Sequence, residues 1–267
     1  MISSWATAAL LTALAQAPAR STPPPAPPVV QTVPVPTTAP ANPFSNLFKN
    51  LGTDTKAMVS PSTAVILGVG GVAALVVHAS NDQKLYDWVQ KRDPKSQTSD
   101  VANFVGGEIV QGGGSIIVWG VGRAMQKTGT ETLGADLIRA HALNGVLTQA
   151  IKVTVQRTRP SGSNYSFPSG HTSSSITTAA VIQQHYGFAW ALPFYGLGGA
   201  VAFARIRTNH HWLSDTVFGA ALGIASGRAS TRYHATNWNV APVKTPGGVA
   251  VYVTRTSTRR TASPARR

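Results

Sequence analysis

The sequence predicts an all-α protein: a bundle of about six helices between a Pro-rich N-terminal linker and a basic C-terminal tail. Three observations carry this. Leu133, Leu137, Ala140, Leu143, Leu147, Ile151 and Val155 recur at three- and four-residue steps, the spacing of one helix face. Long apolar stretches occupy residues 62–79, 101–126 and 187–206. The connections between the predicted helices are short, which favours antiparallel neighbours and places the active site at one end of the bundle.

In chain order, residues 1–17 hold the apolar run Ala8–Leu14 followed by Ala15-Gln16-Ala17, a candidate cleavage site, without a positive n-region. They read as a signal-like segment and predict export to the cell envelope. Residues 18–58 are assigned to a linker, dense in Pro, Thr and Ala up to residue 43, extended and disordered in expectation. The domain is placed at 59–230.

Ser62 to Ala79 is uncharged and mostly apolar, close to the ~20 residues that span a bilayer; Gly68, Gly70 and Gly71 equally suit a tightly packed core helix. Residues 81–100 are polar and predict a loop with a short helix around Leu85–Val89. Residues 101–126 predict one helix, interrupted by Glu108, Gln111 and Gly112 to Gly114. In 131–156 the polar Asp136, Arg139, His141, Asn144 and Gln149 take positions off the apolar stripe, poorly suited to facing lipid all round.

Residues 157–169, with Pro160 and Pro168, form a loop; a Ser/Thr-rich helix follows to about Tyr186, then an apolar helix over 187–206 and a last one from about His211 to Arg228. Residues 231–267 form the basic tail, where Val240–Val243 and Val249–Val253 flank Lys244-Thr245-Pro246-Gly247-Gly248 as a β-hairpin.

The formal charge of +14 calls for an anionic partner: nucleic acid, an anionic membrane surface or a phosphorylated substrate. Only 12% of residues are charged against 43% hydrophobic, which turns the reading from nucleic acid towards a helical or membrane-associated body. The chain has no cysteine, so disulfides and thiolate metal sites are excluded.

Asp215 is the only carboxylate side chain after Asp136, and His211 lies four residues before it. On a helix these positions share a face, so the carboxylate can hold one imidazole nitrogen and leave the other as a nucleophile. Arg205, six residues before His211, can hold an anion against it. Two further clusters precede this one: Lys152 with Arg159-Pro160, and Pro168-Ser169-Gly170-His171. Singly, each has an ordinary reading as helix-end cations, a turn with an N-cap, or a core histidine. Antiparallel packing, however, brings all three to the same end of the bundle. Three cations, two histidines, one carboxylate and a helix N-terminus then converge as an anion site.

Lys152, six residues, Arg159-Pro160; Pro168-Ser169-Gly170-His171; and Arg205, five residues, His211, three residues, Asp215 resemble the three-part signature of the type 2 phosphatidic acid phosphatase superfamily. That superfamily includes bacterial acid phosphatases, lipid phosphatases and vanadium haloperoxidases. The one visible departure is Ala204, where the family usually has Ser.

The resemblance implies a phosphatase acting on phosphate monoesters or on lipid phosphates and diphosphates through a phosphohistidine. His211 is implied as the nucleophile, Asp215 as its orienter and His171 as the proton donor. Lys152, Arg159, Arg205, Ser169 and Gly170 are implied as phosphate ligands. No cofactor and no metal are implied, and the acids from Asp82 to Asp100 read as solvated. The expected partners are a phosphorylated lipid or small phosphomonoester and a membrane, with no nucleic acid. The alternatives are a vanadate-dependent haloperoxidase and a non-catalytic anion-binding envelope protein.

Overall fold

Nine helices and one hairpin follow one another in the computed structural model, which describes residues 43–92, 97–231, 236–245 and 248–257. The helices are α1 (Pro43–Ala57), α2 (Pro61–Ser80), α3 (Asp82–Arg92), α4 (Gln97–Val105), α5 (Glu108–Ala124), α6 (Thr128–Val155), α7 (Gly170–Tyr186), α8 (Phe188–Arg207) and α9 (Leu213–Thr231). Strands β1 (Thr236–Thr245) and β2 (Gly248–Ser257) pair antiparallel, a longer hairpin than the expected one. The signal-like segment, the linker up to residue 42 and residues 258–267 lie outside the described residues.

The six long helices, α2 and α5 to α9, fall where the six are expected; α1 is additional, α3 covers the expected short helix, and α4 takes the start of the helix expected over 101–126. Ser60 caps α2, its Oγ accepting from the Thr63 amide at 3.4 Å, with Pro61 in the first turn, where a missing N–H costs nothing. α6 ends at Gln156 in the left-handed conformation (φ 49°), its amide donating to Lys152 O. α7 and α8 are joined at Gly187, whose φ of 92° is a conformation that residues with a Cβ rarely adopt.

Two differences from expectation shape the region before the site. The helix expected over 101–126 is broken at Gly106-Gly107 into α4 and α5, bent by 52°. A Cβ at Gly106 would lie 2.4 Å from Val201 Cγ1, so α8 occupies the space at the break. The short helix expected at 85–89 extends over all of α3 and starts at Asp82, which is buried.

α7 is the central element: α6, α8 and α9 pack on it, α2 packs on α9, α5 on α6 and α4 on α8. The α7–α9 contact is unusually close because Gly219, Gly223 and Gly227, four residues apart, form one stripe on α9. A Cβ at Gly219 would stand 2.8 Å from Ser169 O and one at Gly223 2.4 Å from Ser173 O. The buried surface of α7 is correspondingly small and polar. Ser173, Ser174, Ser175 and Thr177 are buried beside Ala179, Ala180 and Val181. Their hydroxyls are all partnered: Ser175 and Thr177 donate one turn back, to His171 O (3.0 Å) and Ser173 O (2.8 Å), whereas Ser173 donates to Asn144 Oδ1 (2.7 Å) and Ser174 lies 3.2 Å from His141 Nδ1, both on α6.

Helix α1 falls inside the 18–58 stretch assigned to the linker. Phe44, Leu47, Phe48 and Leu51 stand at i, i+3, i+4 and i+7, a helix signal overshadowed by the neighbouring prolines. Ala57 packs with Leu143 of α6 and Ala229 of α9. Asp54, fully buried, accepts from Arg139 Nε at 2.7 Å, and the same guanidinium donates to Asp136 Oδ1 (2.5 Å) and Ser230 O (2.9 Å). His185 Nε2 lies 2.8 Å from the other Asp136 oxygen.

Apolar side chains also face outward. Val65, Val69, Val72, Leu75 and Val76 on α2, Ile109, Ile116, Ile117 and Val121 on α5, and Phe188, Trp190 and Leu192 on α8 are exposed. α2 is long and apolar enough to cross a membrane, with a mean hydropathy of 1.9, and the bent pair α4–α5 passes the same test as a unit.

Arg139 is the tie between α1 and the bundle. Arg139→Met keeps the volume, leaves the buried Asp54 without its cation and removes the guanidinium from Asp136, which is expected to cost about 3–5 kcal/mol. Thermal unfolding measures this. A loss within the ~0–1 kcal/mol of a surface pair would show that the cluster does not hold the domain together.

Candidate active site

The chain reaches the site from three sides. α6 delivers Lys152 in its last turn, α7 begins at Gly170-His171, and the turn between α8 and α9 carries His211. Two loops lock the arrangement. Trp212 Nε1–H donates to Thr158 O (2.9 Å), Ser161 N–H to Asn209 O (3.2 Å), and the His211 amide to Arg205 O (3.2 Å). The α7–α9 approach adds a direct link, the Ser169 amide donating to Asp215 O at 3.0 Å.

The result is a cavity of about 800 Å³. Lys152, Arg159, Gly170, His171, Arg205 and His211 line it, so six of the eight residues singled out in the sequence share one space. The other two stand behind it. Asp215, fully buried, has Oδ2 3.5 Å from His211 Nδ1, too long for a full hydrogen bond, and Nδ1 has no other partner. Ser169 is fully buried, its Oγ 3.0 Å from Thr172 Oγ1 and its amide taken by Asp215 O. A direct phosphate contact from Ser169, which the sequence reading expects, is therefore pre-empted by the close packing of α7 on α9. The ladder of α7 starts with the Ser173 amide donating to Ser169 O, so the Gly170, His171 and Thr172 amides have no intrahelical acceptor.

Among the described residues neither Lys152, Arg159 nor Arg205 forms an ion pair with a carboxylate. Lys152 Nζ donates to Tyr165 O (2.8 Å) and Arg205 to Asn103 Oδ1 (3.2 Å). The buried Nε atoms of Arg159 and Arg205 have no partner. Burial, then the Arg159 charge, pushes Lys152 down to about 8 and Arg205 down to about 10. Burial, followed by the charge of Arg205, pushes His171 down to about 3. His211 is pushed down to about 4, mainly by burial, with Asp215 acting the other way. Both imidazoles are thus neutral near pH 7.

Sequence reasoning missed three residues here. Arg157 donates to Asp215 Oδ1 at 2.6 Å and to Asp82 Oδ2 at 2.8 Å. Asp82, read as solvated, is 5% exposed and accepts from Ser214 N–H and Oγ–H. One partner is local, His78 four residues before it, a spacing like that of His211 and Asp215, but Arg157 and Ser214 lie 75 and 132 residues away. Glu108, read as an interruption in an apolar helix, lines the cavity at its rim, where a Cβ on Gly170 would lie 2.0 Å from Glu108 Oε1. Among the described residues no three His, Cys, Asp or Glu side chains are grouped to hold a metal ion.

The rim of the cavity is apolar: Phe104, Ile109 and Val153 line it and are exposed. A cationic floor under an apolar mouth suits an anion joined to an apolar body.

Comparison with known proteins bears on the same stretch. The family model for the PAP2 superfamily matches residues 133–239. The lipid A 1-phosphatase of Porphyromonas gingivalis is 36% identical over 90 residues, covering 32% of this chain and 20% of that protein. The chain therefore spans about a fifth of the length of this relative. Among solved structures, Aquifex aeolicus LpxE superposes with a TM-score of 0.46 at 21% identity, covering 57% of this chain and 95% of that one. A PAP2-type phosphatidylglycerolphosphate phosphatase from Bacillus subtilis superposes with a TM-score of 0.36 at 18% identity, covering 72% and 94% respectively. All three clusters, from Lys152 to Asp215, lie inside the stretch that the PAP2 superfamily model matches, which is under half of the chain, so over that stretch the chain is similar to the PAP2 superfamily.

Proposed function

We propose that this chain is a metal-independent phosphatase that hydrolyses lipid phosphates or diphosphates through a phosphohistidine. The observation that carries the reading is the floor of three cations, none of them ion-paired to a carboxylate among the described residues, with two neutral imidazoles in the same cavity under an exposed apolar rim. A phosphate dianion repels nucleophiles, so fixed positive charge is what its chemistry needs first. The relative named for lipid A 1-phosphatase activity supports a lipid substrate, as do the exposed apolar faces of α2, α5 and α8. These faces and the candidate span α2 also support membrane association. A small phosphomonoester would use the same floor without needing the rim.

In the proposed sequence His211 attacks phosphorus through Nε2, since Nδ1 faces Asp215. The N–P bond forms as the P–O bond to the leaving alcohol breaks. His171 gives its proton to that oxygen. Lys152, Arg159, Arg205 and the Gly170 amide hold the non-bridging oxygens, while Ser169 sets the first turn of α7. Water then attacks the phosphohistidine, His171 takes a proton from it, and the P–N bond breaks to return neutral His211.

His171 must be protonated to act as the acid, yet burial and the surrounding cations hold it near 3. A bound dianion offsets those cations and raises it. The sign is fixed: an opposite charge favours the protonated imidazole. Titrating the histidine ring protons by NMR with and without orthovanadate is expected to move His171 up by at least about one unit. An unmoved His171 would rule it out as the acid.

Phosphate release from a lipid phosphate in mixed micelles is expected to survive EDTA and to be inhibited by vanadate. His211→Ala is expected to abolish it. Loss on chelation restored by Mg²⁺, or halide oxidation on adding vanadate and peroxide, would replace this reading.

His171→Ala is expected to depend on the leaving group. General acid help is worth roughly 10²–10⁴ for an alkoxide, whereas a nitrophenolate departs without it. The variant should release a burst of nitrophenol and leave acid-labile phosphate on the peptide containing His211. Equal losses on both substrates would contradict the assignment.

A further inference from the structure

Asp215 is positioned by a charge outside the cavity. Its carboxylate is fully buried and receives three donors: Arg157 on Oδ1 at 2.6 Å, and Ser166 Oγ–H and the Trp212 amide on Oδ2, the latter at 2.9 Å. Only Arg157 is charged. Its other nitrogen reaches Asp82 Oδ2 at 2.8 Å, and Ser214 Oγ, 2.7 Å from Arg157 and 2.6 Å from Asp82, closes the ring. Asp82 Oδ1 accepts the Ser214 amide in the first turn of α9, so the start of α3 caps the helix that carries Asp215. His78 Nδ1 lies 2.9 Å from Arg157 and 3.0 Å from Asp82.

We infer that Arg157, shared between Asp215 and Asp82, is a positioning residue for the reaction: it fixes the plane of the Asp215 carboxylate and limits the negative charge that Asp215 presents to His211. The inference rests on the phosphatase reading, in which His211 is the nucleophile. Arg157 touches no residue of the cavity floor except through Asp215, and it does not line that cavity. It opens instead on a separate cleft of about 480 Å³, between Leu75 of α2 and Phe218 of α9, with Phe167 as a further wall. Its role is thus separable from phosphate binding.

A guanidinium between two carboxylates divides one positive charge between them, so each is only partly compensated. Removing it leaves Asp215 uncompensated, so His211 gains proton affinity. Removing the Asp82 charge does the reverse, because Arg157 then serves Asp215 alone. The other charged or titratable groups that share the cavity with His211 are Glu108 on α5, Lys152 on α6, Arg159 in the loop after it, His171 on α7 and Arg205 on α8, and neither change substitutes them. A staple with a purely structural role would send both variants in the same direction.

The test compares Arg157→Gln and Asp82→Asn in the full chain, by NMR titration of His211 and by the pH profile of kcat/KM on a lipid phosphate. For Arg157→Gln we expect kcat to fall on the order of a hundredfold, as for a small misplacement of a reacting group, with KM little changed. The acid limb of the profile and the His211 midpoint should both move to higher pH. For Asp82→Asn both should move down or stay. In Arg157→Ala, guanidinium in the medium should restore part of kcat through the open cleft. Arg157→Lys, which keeps the charge, should keep the wild-type limb and serves if the other variants do not fold.

Wild-type kcat and an unmoved His211 midpoint in Arg157→Gln would overturn the inference, as would shifts of the same sign in both variants. A wild-type chain without phosphatase activity would instead sink the phosphatase reading. The His211 midpoints remain readable in that case and would still decide whether Arg157 sets the charge that Asp215 presents.

Discussion

Lys152 and Arg205 are buried and Arg159 half-buried at one end of a helical bundle, and among the described residues no carboxylate is in ion-pair reach of any of them. Like charges withdrawn from water are expensive to keep. Two unit charges 4 Å apart repel by about 4 kcal/mol at an effective dielectric constant of ~20. The lowered pKa of Lys152 and of Arg205 records that cost, burial coming first and the Arg159 charge second. Glu108, in the same cavity, offsets part of the charge on Lys152 and Arg205, and Asp215 part of that on Lys152, but burial outweighs both. A dianion that enters gains the field of all three cations at once, with no reorganisation needed when it arrives.

What holds the cations in place is backbone proximity more than apolar burial. The glycine stripe of α9 lets α7 approach until Ser169 N–H reaches Asp215 O, joining the second cluster directly to the third. Larger residues on α9 would separate them. The buried face of α7 is consequently built from Ser, Thr and Ala, which bury little apolar area each, so the bundle depends more heavily on satisfied hydroxyls and ion clusters. Gly106 plays the same part beside Val201, where the break between α4 and α5 turns Asn103, Phe104 and Glu108 towards the cavity.

The class of fold and the six cavity-lining residues were legible in the sequence because they rest on local signals. Helical spacing revealed α6, and the fixed separations of Lys152, Arg159, Arg205, His211 and Asp215 sit at helix ends that antiparallel packing must bring together. The spacing of Phe44, Leu47, Phe48 and Leu51 was legible too, but proline-rich neighbours outweighed it. Asp82 carried only a weak signal, His78 four residues before it: a carboxylate beside an apolar run reads as a solvated boundary, and only the tertiary fold brings the start of α9 to it. Ser169 shows the opposite failure. Its type and position fit phosphate binding, but the proximity of α9 claims both its amide and its burial.

The chain has only nine acidic residues, and among the described ones four are buried: Asp54, Asp82, Asp136 and Asp215. Two arginines hold all four. Arg139 stands between Asp54 and Asp136 at one end of the bundle, and Arg157 between Asp82 and Asp215 at the other. In each cluster a histidine contacts one of the carboxylates, His185 on Asp136 and His78 on Asp82. A buried Asp–Arg–Asp cluster is a weak source of stability, since desolvation offsets much of the Coulomb gain, but it is exacting about geometry. Confining the buried acids to these two clusters has a second effect. Among the described residues it leaves Lys152, Arg159 and Arg205 without an ion pair, although Lys152 feels the charge of Asp215, whose carboxylate is directed at Arg157. The same side-chain type therefore does opposite work two residues apart. Arg157, saturated by two carboxylates, holds a carboxylate still, whereas Arg159, without one, keeps its charge available to the cavity.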